Sequence, residues 1–558
     1  MKQIFTILLL FASVIGSFAQ HTISGIVTDE KNAPLPGVTV YVMSLAKGTV
    51  TDDNGKYELN NMPSGELQLQ FSFVGRANVI RYTKLQKSDL QLNIVLNPSA
   101  IETEEVLVTS GYNNTQHENA VKIDVLKMQN NTNLISANLC ESLAKIPGVD
   151  LITKGSGVAK PVIRGLSRDN ILSLNNGMRF ENFQYSDHHP LGIDEYDVEN
   201  VEIIKGPASL LYGSDAVGGV LNFLKEKPAS VGSFVADYNF KYLSVSQGIS
   251  NNVGIKAAGS HFFGGLRAGF KSAADYLQGD GDFVPNSRMK EQAFHANAGY
   301  NNSWSSLKLF YDYNSEKLGL VEPEAVAETT ERGREVGLMF EQITSNMVSS
   351  QKKIFVGDYT IEANASWQNA VLAHAQNNDL VELEMALRTL TYELKVHLPS
   401  GKNAEYIIGA QGISQQYSNI NDRVTLLLPK ASVDSYAAFA LLQYTFFDKL
   451  NVQTGLRYDQ KQIQTNSIGQ LHEESFRAAI SRDYGSLSGS VGATYQPSEQ
   501  FLLRYNFAAA FRTPNLAELT ANGPHEEVYE KGDASLIPQK ALENDLSMHF
   551  HSANITFD

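Results

Sequence analysis

Cysteine is almost absent from this sequence of 558 residues, and its scarcity limits the architecture. The single cysteine, Cys140, excludes any disulfide within the chain. It lies in the apolar pattern Leu139-Cys140-Glu141-Ser142-Leu143-Ala144, which is typical of a helix and predicts a small buried side chain rather than a reactive thiol. The fold must therefore be stable without covalent cross-links.

Long hydrophobic runs are also missing beyond the N-terminus. Lys2, the apolar run Ile4–Ile15 and the small residues of Ser17-Phe18-Ala19 form the three parts of a secretory signal peptide, which we assign to residues 1–19. The apolar run is shorter than the ~20 residues of a membrane-spanning helix. An exported chain without such helices can enter a membrane only through β-strands.

Positive charge is in deficit, with 45 Lys and Arg against 60 Asp and Glu and a net charge of -15. A nucleic-acid partner is not expected, because binding phosphates requires a basic face. The sequence also lacks the GxxxxGK, GxSxG and HExxH motifs of common catalytic sites. We therefore predict that the chain is not an enzyme and carries no cofactor.

The stretch from Pro161 to Phe223 carries the most information. Short apolar strands alternate in it with turns, and the run Val201–Ile204 is stopped by Gly206-Pro207. Gly213, Gly218 and Gly219 mark tight turns or close approaches of the backbone. A generic soluble α+β domain is the alternative reading of these features.

The order of these elements resembles the plug domain of TonB-dependent outer-membrane receptors. The resemblance is carried by Arg164, Gly165, Lys205, Gly206, Pro207, Tyr212, Gly213, Gly218 and Gly219. It implies a plug domain over residues 121–228 that sits inside a polar barrel lumen. Arg164, Arg168, Arg179 and Lys205 would then pair with the barrel wall.

Residues 20–97 show the spacing of a small β-sandwich. Strand-like alternation at Ile23 to Val27 and at Leu67 to Phe73 flanks the strong turn Asp52-Asp53-Asn54-Gly55. The pattern Gly25-x-Val27-x-Asp29 with Pro34-Leu35-x-Gly37-Val38 resembles the carboxypeptidase-regulatory-like domain. That resemblance implies no catalysis, and His/Glu zinc ligands are not evident here.

The linker at residues 98–120 contains a short acidic and apolar segment. By itself the alternation of Glu104, Glu105, Val106, Leu107, Val108 and Thr109 fits an ordinary edge strand. Placed just before a plug, the segment resembles the TonB box, which implies capture by β-augmentation on a periplasmic partner. The expected partner is TonB with its ExbB/ExbD motor.

From residue 229 to 558 the sequence has the period of two expected of barrel strands. Apolar or aromatic residues alternate with polar ones in Leu450–Asp459 and again from Phe501 to Phe511. Lengths near ten residues are expected, with outer loops at Asp275 to Lys290 and Glu322 to Glu335. Transporters of this class have roughly 22 strands, so we expect a partial barrel.

The predicted fold is therefore mainly β: an N-terminal β-sandwich, an α+β plug and a partial transmembrane antiparallel β-barrel of the 22-stranded type. The resemblance places it in the outer membrane of a Gram-negative cell, in contact with lipid, with the sandwich and the TonB-box-like segment in the periplasm. It implies energy-coupled uptake of a scarce nutrient. A truncated surface-binding protein that does not transport is the alternative.

Two segments resemble those of the zinc-importing branch. Phe511-Arg512-Thr513-Pro514-Asn515-Leu516-Ala517-Glu518-Leu519 matches a late-barrel motif, and Tyr185–Pro190 would face the outer vestibule. The candidate metal ligands are Asp187, His188, His189, His525 and Glu526, whose O and N atoms suit Zn²⁺ as a transported ligand. Histidines without metal, or a siderophore, haem or cobalamin receptor, are the alternatives.

Overall fold

The computed structural model describes residues 21–85, 88–98, 109, 115–128, 138–154, 157–187, 189–378, 380–399, 403–421, 427–447, 449–472, 476–498, 500–525, 528–551 and 555–557. Three β-rich units follow one another along these ranges. Among their helices, none has the length and hydropathy needed to cross a bilayer. The predicted signal peptide lies outside the described residues.

The N-terminal unit consists of two small sheets that enclose one core. Its strands are β1 (His21–Asp29), β2 (Thr39–Val42), β3 (Lys47–Val50), β4 (Lys56–Met62), β5 (Gly65–Ser72), β6 (Val79–Leu85), β7 (Leu90–Gln91) and β8 (Ile94–Leu96), with a 3-10 turn at Met43–Leu45. One sheet has the order β4-β1-β7 with β8 also on β1, and the other β3-β2-β5-β6. Alternate side chains such as Ile23, Val27 and Leu69 meet between them, which confirms the predicted sandwich.

The second unit, which we call the plug, is a mixed sheet with a separate hairpin. Its elements are β9 (Ile123–Lys127), α1 (Leu139–Leu143), β10 (Val149–Lys154), β11 (Val158–Ile163), a 3-10 turn (Arg168–Asn170), β12 (Ile171–Asn175), β13 (Met178–Arg179), β14 (Val198–Lys205), α2 (Ser209–Tyr212) and β15 (Gly219–Lys225). The five-stranded sheet has the order β13-β12-β15-β14-β9, and β10 pairs with β11. Cys140 on α1 is buried in the plug core, as the sequence predicts.

Two glycines show why the plug motif requires this residue type. Gly213 ends α2 with φ +79, in the left-handed region. Gly219 begins β15 with φ +156, and a Cβ there would lie 2.3 Å from the carbonyl oxygen of Ile204 on the adjacent strand. Both positions agree with the predicted tight turn and close approach.

The third unit is one large antiparallel sheet. Its strands are β16 (Phe234–Leu243), β17 (Gly248–Ala258), β18 (Phe262–Ala273), β19 (Met289–Asn301), β20 (Ser305–Gly319), β21 (Leu338–Val356), β22 (Tyr359–Asn377), β23 (Leu380–Leu398), β24 (Ala404–Asn419), β25 (Ala431–Phe446), β26 (Leu450–Thr465), β27 (Ser481–Ser498) and β28 (Phe501–Arg512). After a small hairpin of β29 (Asn522–His525) and β30 (Val528–Lys531), the sheet continues with β31 (Gln539–His551) and β32 (Thr556–Phe557).

Short helices occupy the connections of this sheet. A 3-10 turn spans Ser244–Ser246, α3 (Pro323–Glu328) lies between β20 and β21, and α4 (Leu516–Thr520) follows β28. The sheet has fifteen strands, each beside its neighbour in sequence apart from the hairpin. Within the described residues, its edge strands β16 and β32 are not paired with each other.

Polarity in this sheet is the reverse of that in a water-soluble protein. On β26, Leu456 is 62% and Tyr458 53% exposed, whereas Arg457 between them is 4% exposed. On β28, Leu503 and Tyr505 are exposed, while Arg504 and Asn506 are buried. The apolar face therefore points outward and the polar face inward, as a strand in a lipid bilayer requires.

The strands are longer than the ten residues expected from the sequence. β21, β22 and β23 each have 19 residues. About 9–11 tilted residues cross the hydrocarbon layer, so these strands extend into the aqueous phase, where alternation of apolar residues is no longer required. The alternation in the sequence therefore predicted only the part of each strand that crosses the bilayer.

The sheet curves around the plug, which contacts it from β17 to β31. Tyr196 reaches Ser250 on β17, Glu181 N–H bonds to Gln368 on β22, and Arg164 pairs with Asp545 on β31 at 3.2 Å. A curved sheet with an apolar outside and a filled polar inside is a transmembrane barrel wall. The predicted fold class is confirmed.

The N-terminal unit is docked against the inner end of this barrel, opposite the long loops. Phe355, at the end of β21, is buried in the sandwich core. Lys84 pairs with Asp358 of the following turn at 3.0 Å, and Val231 N–H donates to the Gly48 carbonyl at 3.0 Å. The sandwich and the barrel therefore share a hydrophobic contact as well as polar ones.

Candidate functional site

The outer apex of the plug is the loop at residues 182–187 and 189–191, and a buried lysine organises it. Lys160 on β11 is 1% exposed, and its ammonium donates to the carbonyls of Gln184, at 2.9 Å, and Ser186. Burial lowers the pKa of Lys160 to about 8, although nearby carboxylates oppose this shift. Asn182 Nδ2 donates to the Leu191 carbonyl at 2.6 Å and closes the base of the loop.

Two of the predicted metal ligands, Asp187 and His189, lie in the described part of this loop, and both bind protein groups. Asp187 forms a two-point ion pair with Arg168, whose Nε lies 2.6 Å from Oδ1. His189 is fully buried, and its Nδ1–H donates to the Phe183 carbonyl. The ring of His189 meets that of Tyr185 edge-on at 5.0 Å between centroids. A metal could therefore reach His189 only through Nε2.

The remaining predicted ligands receive no structural account. His188 and Glu526 lie outside the described residues. His525 ends β29, and only its backbone pairing with Val528 is described. Within the described ranges, the His, Asp and Glu groups close enough to share an ion are Asp194, Asp197 and His295, which the sequence did not single out.

The late-barrel motif positions a short helix over the apex. Asn515 caps α4 by accepting from Glu518 N–H at 2.7 Å, and Glu518 accepts from Asn515 N–H at 2.9 Å. Arg512 holds the same glutamate with two bonds of 2.8 Å. The amide of Asn515 also donates to Asp169 of the plug. The motif thus fixes α4 to both barrel and plug.

An apolar layer lies between the apex and the outer loops. Phe183 of the plug packs in one buried cluster with Leu516 and Leu519 of α4 and with Leu427 and Leu428 of the loop before β25. We call this cluster the outer cap. Phe183 lies on the same loop as Asp187 and as the Gln184 and Ser186 carbonyls that bind Lys160, so the apex combines apolar and charged groups. Small-molecule sites commonly combine such groups.

Three of the four cations expected to face the barrel wall pair within the plug instead. Arg168 binds Asp187, Arg179 binds Glu181 and Asp215, and Lys205 binds Asp124 at 2.6 Å. The reason is proximity: these carboxylates belong to neighbouring plug loops and strands. Of these four cations, Arg164 alone pairs with the wall within the described part of the chain, through Glu543 and Asp545.

A buried charge network around His295 on β19 joins the plug to the wall. Its Nε2 lies 3.0 Å from Asp194 of the plug and its Nδ1 2.8 Å from Asp312 of the wall. Lys225 of the plug bridges Asp197 and Asp312, both at 2.5 Å. Because carboxylates contact both ring nitrogens, the geometry fits a doubly protonated imidazolium. The sequence did not predict this role of His295, because a single histidine in an alternating strand does not indicate its partners.

The remaining residues of the plug motif lie at tight turns and close contacts of the plug. Gly206 has φ +109, and a Cβ there would meet the Glu543 carboxylate at 2.6 Å. A Cβ on Gly218 would lie 2.9 Å from Leu166, whose neighbour Gly165 has φ +83. Pro207 lines a cavity between plug and wall. Of the TonB-box-like segment, Glu104 to Val108 lie outside the described residues, and Thr109 is buried in the plug.

A lipid-facing barrel wall filled by an internal plug defines an outer-membrane receptor. Residues 230–557 match the family described as TonB dependent receptor-like, beta-barrel. Residues 115–220 match the TonB-dependent Receptor Plug Domain, and residues 23–108 match the CarboxypepD_reg-like domain. The chain therefore belongs to the TonB-dependent receptor family.

Individual relatives are distant. The sequence is 22% identical over 446 residues to the hemin receptor of Yersinia pestis, which covers 76% of this chain and 62% of that protein. It is 29% identical over 149 residues to the vitamin B12 transporter BtuB of Vibrio vulnificus, covering 25% of this chain and 24% of that protein. The chain thus spans less than two-thirds of these relatives' length.

Solved structures share the fold. The copper transporter OprC superimposes with a TM-score of 0.64 at 18% identity, covering 77% of this chain and 68% of that one. The hemophore receptor HasR of Serratia marcescens, in complex with its hemophore and heme, gives 0.65 at 14% identity, covering 78% and 70%. The matched proteins are receptors and transporters rather than enzymes, and they place this chain in the Gram-negative outer membrane, as predicted.

Proposed function

We propose that the chain is an energy-coupled receptor that takes up a scarce nutrient, a metal ion or a metal chelate, through the outer membrane. The observation that supports this proposal is the plug apex, where the loop that carries Asp187 and binds Arg168 and Lys160 also contributes Phe183 to the outer cap. Relatives named for haem, cobalamin and copper are consistent with such cargo.

Zinc is the ion that the sequence favours, because Asp187 and the adjacent histidines offer O and N ligands. Asp187 is held by Arg168 in this structure, so a zinc ion would have to displace the guanidinium. A chelate that carries its own negative charge could instead bind Arg168 directly. The same apex therefore supports both cargo types, and they differ in which partner of the ion pair binds the ligand.

Calorimetry on the purified full chain separates these cargo types. Zn²⁺ alone is titrated into the wild type, the double variant Asp187→Ala/His188→Ala and, as a matched control, Asp280→Ala in an exposed outer loop. Zinc as cargo predicts binding that the double variant loses and the control retains. Equal affinities in all proteins would remove this site.

Coupling is proposed to run through TonB with its ExbB/ExbD motor, which would capture Glu104–Thr109 as an added strand. Deleting these residues is expected to abolish uptake while ligand binding persists. A replacement of equal length by Gly and Ser controls for linker length and should behave like the deletion. Uptake is measured by growth under zinc limitation and under iron limitation; growth equal to wild type in both would contradict the coupling role.

A further inference from the structure

Thr109, the last residue of the TonB-box-like segment, is held unusually firmly for a linker residue. It is 0% exposed. Its N–H and its hydroxyl both donate to Glu202, the N–H at 2.7 Å. Its hydroxyl accepts from Asn222 Nδ2 at 3.1 Å, and its carbonyl accepts from the Tyr212 hydroxyl at 2.9 Å. Every polar group of this residue is thus engaged.

The partners of Thr109 belong to the centre of the plug sheet. Glu202 on β14 and Asn222 on β15 are directly opposite each other in the antiparallel pair. Both are buried, and Asn222 Oδ1 also accepts from Gly177 N–H at 2.8 Å. Tyr212 ends α2, and burial beside Glu202 raises its pKa well above the ordinary value, so it stays a donor. We call Thr109, Glu202, Asn222 and Tyr212 the threonine clasp.

Opening the clasp requires a large free energy, because it breaks the hydrogen bonds of Thr109 to Glu202, which is a buried carboxylate. A buried charge must be matched by hydrogen-bond donors, and Thr109 supplies two of them from one residue. Withdrawing Thr109 would remove both donors at once. The bonds to a charged acceptor are also the stronger kind.

The other end of the segment is fixed as well. Pro98 forms a backbone bridge with Arg76 of the N-terminal sandwich. That sandwich is held to the barrel by Phe355 and by the Lys84–Asp358 ion pair. A pull on residues between Pro98 and Thr109 therefore acts against two anchored points, one on the barrel rim and one inside the plug.

We propose that the threonine clasp is the point where tension on the TonB-box-like segment enters the plug, and that the clasp must release before the plug sheet rearranges. This inference rests on the proposed function, because it assumes that TonB pulls on the segment; Thr109, whose N–H and carbonyl are bonded within the plug, can join the captured strand only after the clasp opens. After release, the next strand along the chain is β9, an edge strand that pairs with β14 alone among the described strands. The clasp is thus the first anchor within the plug that tension on the segment meets, ahead of the bonds that tie Glu118 and Ala120 to the barrel wall.

Force spectroscopy tests this inference. A TonB periplasmic domain on the probe is brought to outer-membrane vesicles that carry the full chain, and the force of the first extension is recorded. Thr109→Val keeps the N–H and the side-chain shape but loses the hydroxyl, so its first extension should occur at lower force. Thr109→Ser restores the hydroxyl and should match wild type. Thr115→Val is the matched control, because Thr115 bonds locally to Glu118.

Hydrogen exchange on the same proteins measures the clasp without TonB. Thr109→Val loses the bond from the hydroxyl to Glu202 and the bond that the hydroxyl accepts from Asn222. Exchange of the central β14 and β15 amides should therefore speed up by at least on the order of tenfold. Exchange in β25 and β26 should stay unchanged, which shows that the barrel is folded.

Equal first-extension forces for wild type and Thr109→Val would overturn the inference, as would a low force in Thr109→Ser. If TonB does not bind the wild-type chain, the proposed function fails and the force role with it. Binding to wild type with no effect of the valine would overturn the clasp alone. The two failures are therefore distinguishable.

Discussion

The Asp194–His295 contact gives a sharp prediction about how the plug is held in the barrel. Asp194 is 3% exposed and lies 3.0 Å from His295. Burial by itself raises the pKa of Asp194, but the imidazole of His295 outweighs it and lowers the pKa from 3.8 to about 2. A shift of this size corresponds to roughly 2 kcal/mol of plug stability at neutral pH. Asp194→Asn keeps the shape and removes the charge, so it should lose about that amount.

The single cysteine provides the assay. Cys140 is buried in the plug, where burial raises the pKa of its thiol to about 12, so it reacts only when the plug opens. Its modification by 4,4′-dithiodipyridine is followed against urea concentration, with heat-dependent gel migration to show that the barrel stays folded. With a slope of 1–3 kcal/mol per molar urea, the midpoint should fall on the order of 1 M.

The pH dependence follows from the sign of the shift. A carboxyl group whose pKa is lower in the folded state than in the unfolded state stabilises the folded state at pH values above its unfolded-state pKa. That stabilisation disappears as the pH falls through the folded-state pKa. The difference between wild type and Asp194→Asn should therefore be full at pH 5–7 and shrink between about pH 4 and pH 2. Asp150→Asn, an exposed plug position, is the control. Equal midpoints for the two variants, or a difference that persists at pH 2, would refute the reasoning.

Two other contacts lend themselves to direct tests. Asn515→Ala removes the cap of α4 and should cost about 1 kcal/mol of local stability, which hydrogen exchange would detect as faster exchange of the Leu519 amide. Asn515→Ser can still cap the helix and should restore slow exchange. No change of exchange in the alanine variant would contradict the role of the cap. Phe355→Ala should weaken docking of the N-terminal sandwich by about 3 kcal/mol, which is measured as faster proteolysis between sandwich and plug. Val356→Ala, at the exposed neighbouring position, should have no effect. Equal cleavage of the two variants would argue against the shared core.

Sequence reasoning succeeded where local pattern determines structure. The alternation that places Tyr458 outside and Arg457 inside follows from one strand's own residues. It was wrong about Arg168, which pairs with Asp187 inside the plug. The Asp194–His295 contact joins residues 101 positions apart, and no local period encodes such a partner.

The plug and the barrel wall are joined by contacts between residues that are far apart in the sequence, and this separation bears on the order of assembly. Ala120 N–H binds Gln453, 333 positions later, and Arg164 binds Glu543, 379 positions later. Contacts of such sequence separation form slowly, since the chain between must be closed into a loop first. We therefore expect the seating of the plug in the barrel to be a late step of biogenesis, with the wall-facing groups of the plug hydrated until then. A variant that slows barrel assembly should leave the plug exposed to periplasmic proteases for longer, even when no plug residue is altered.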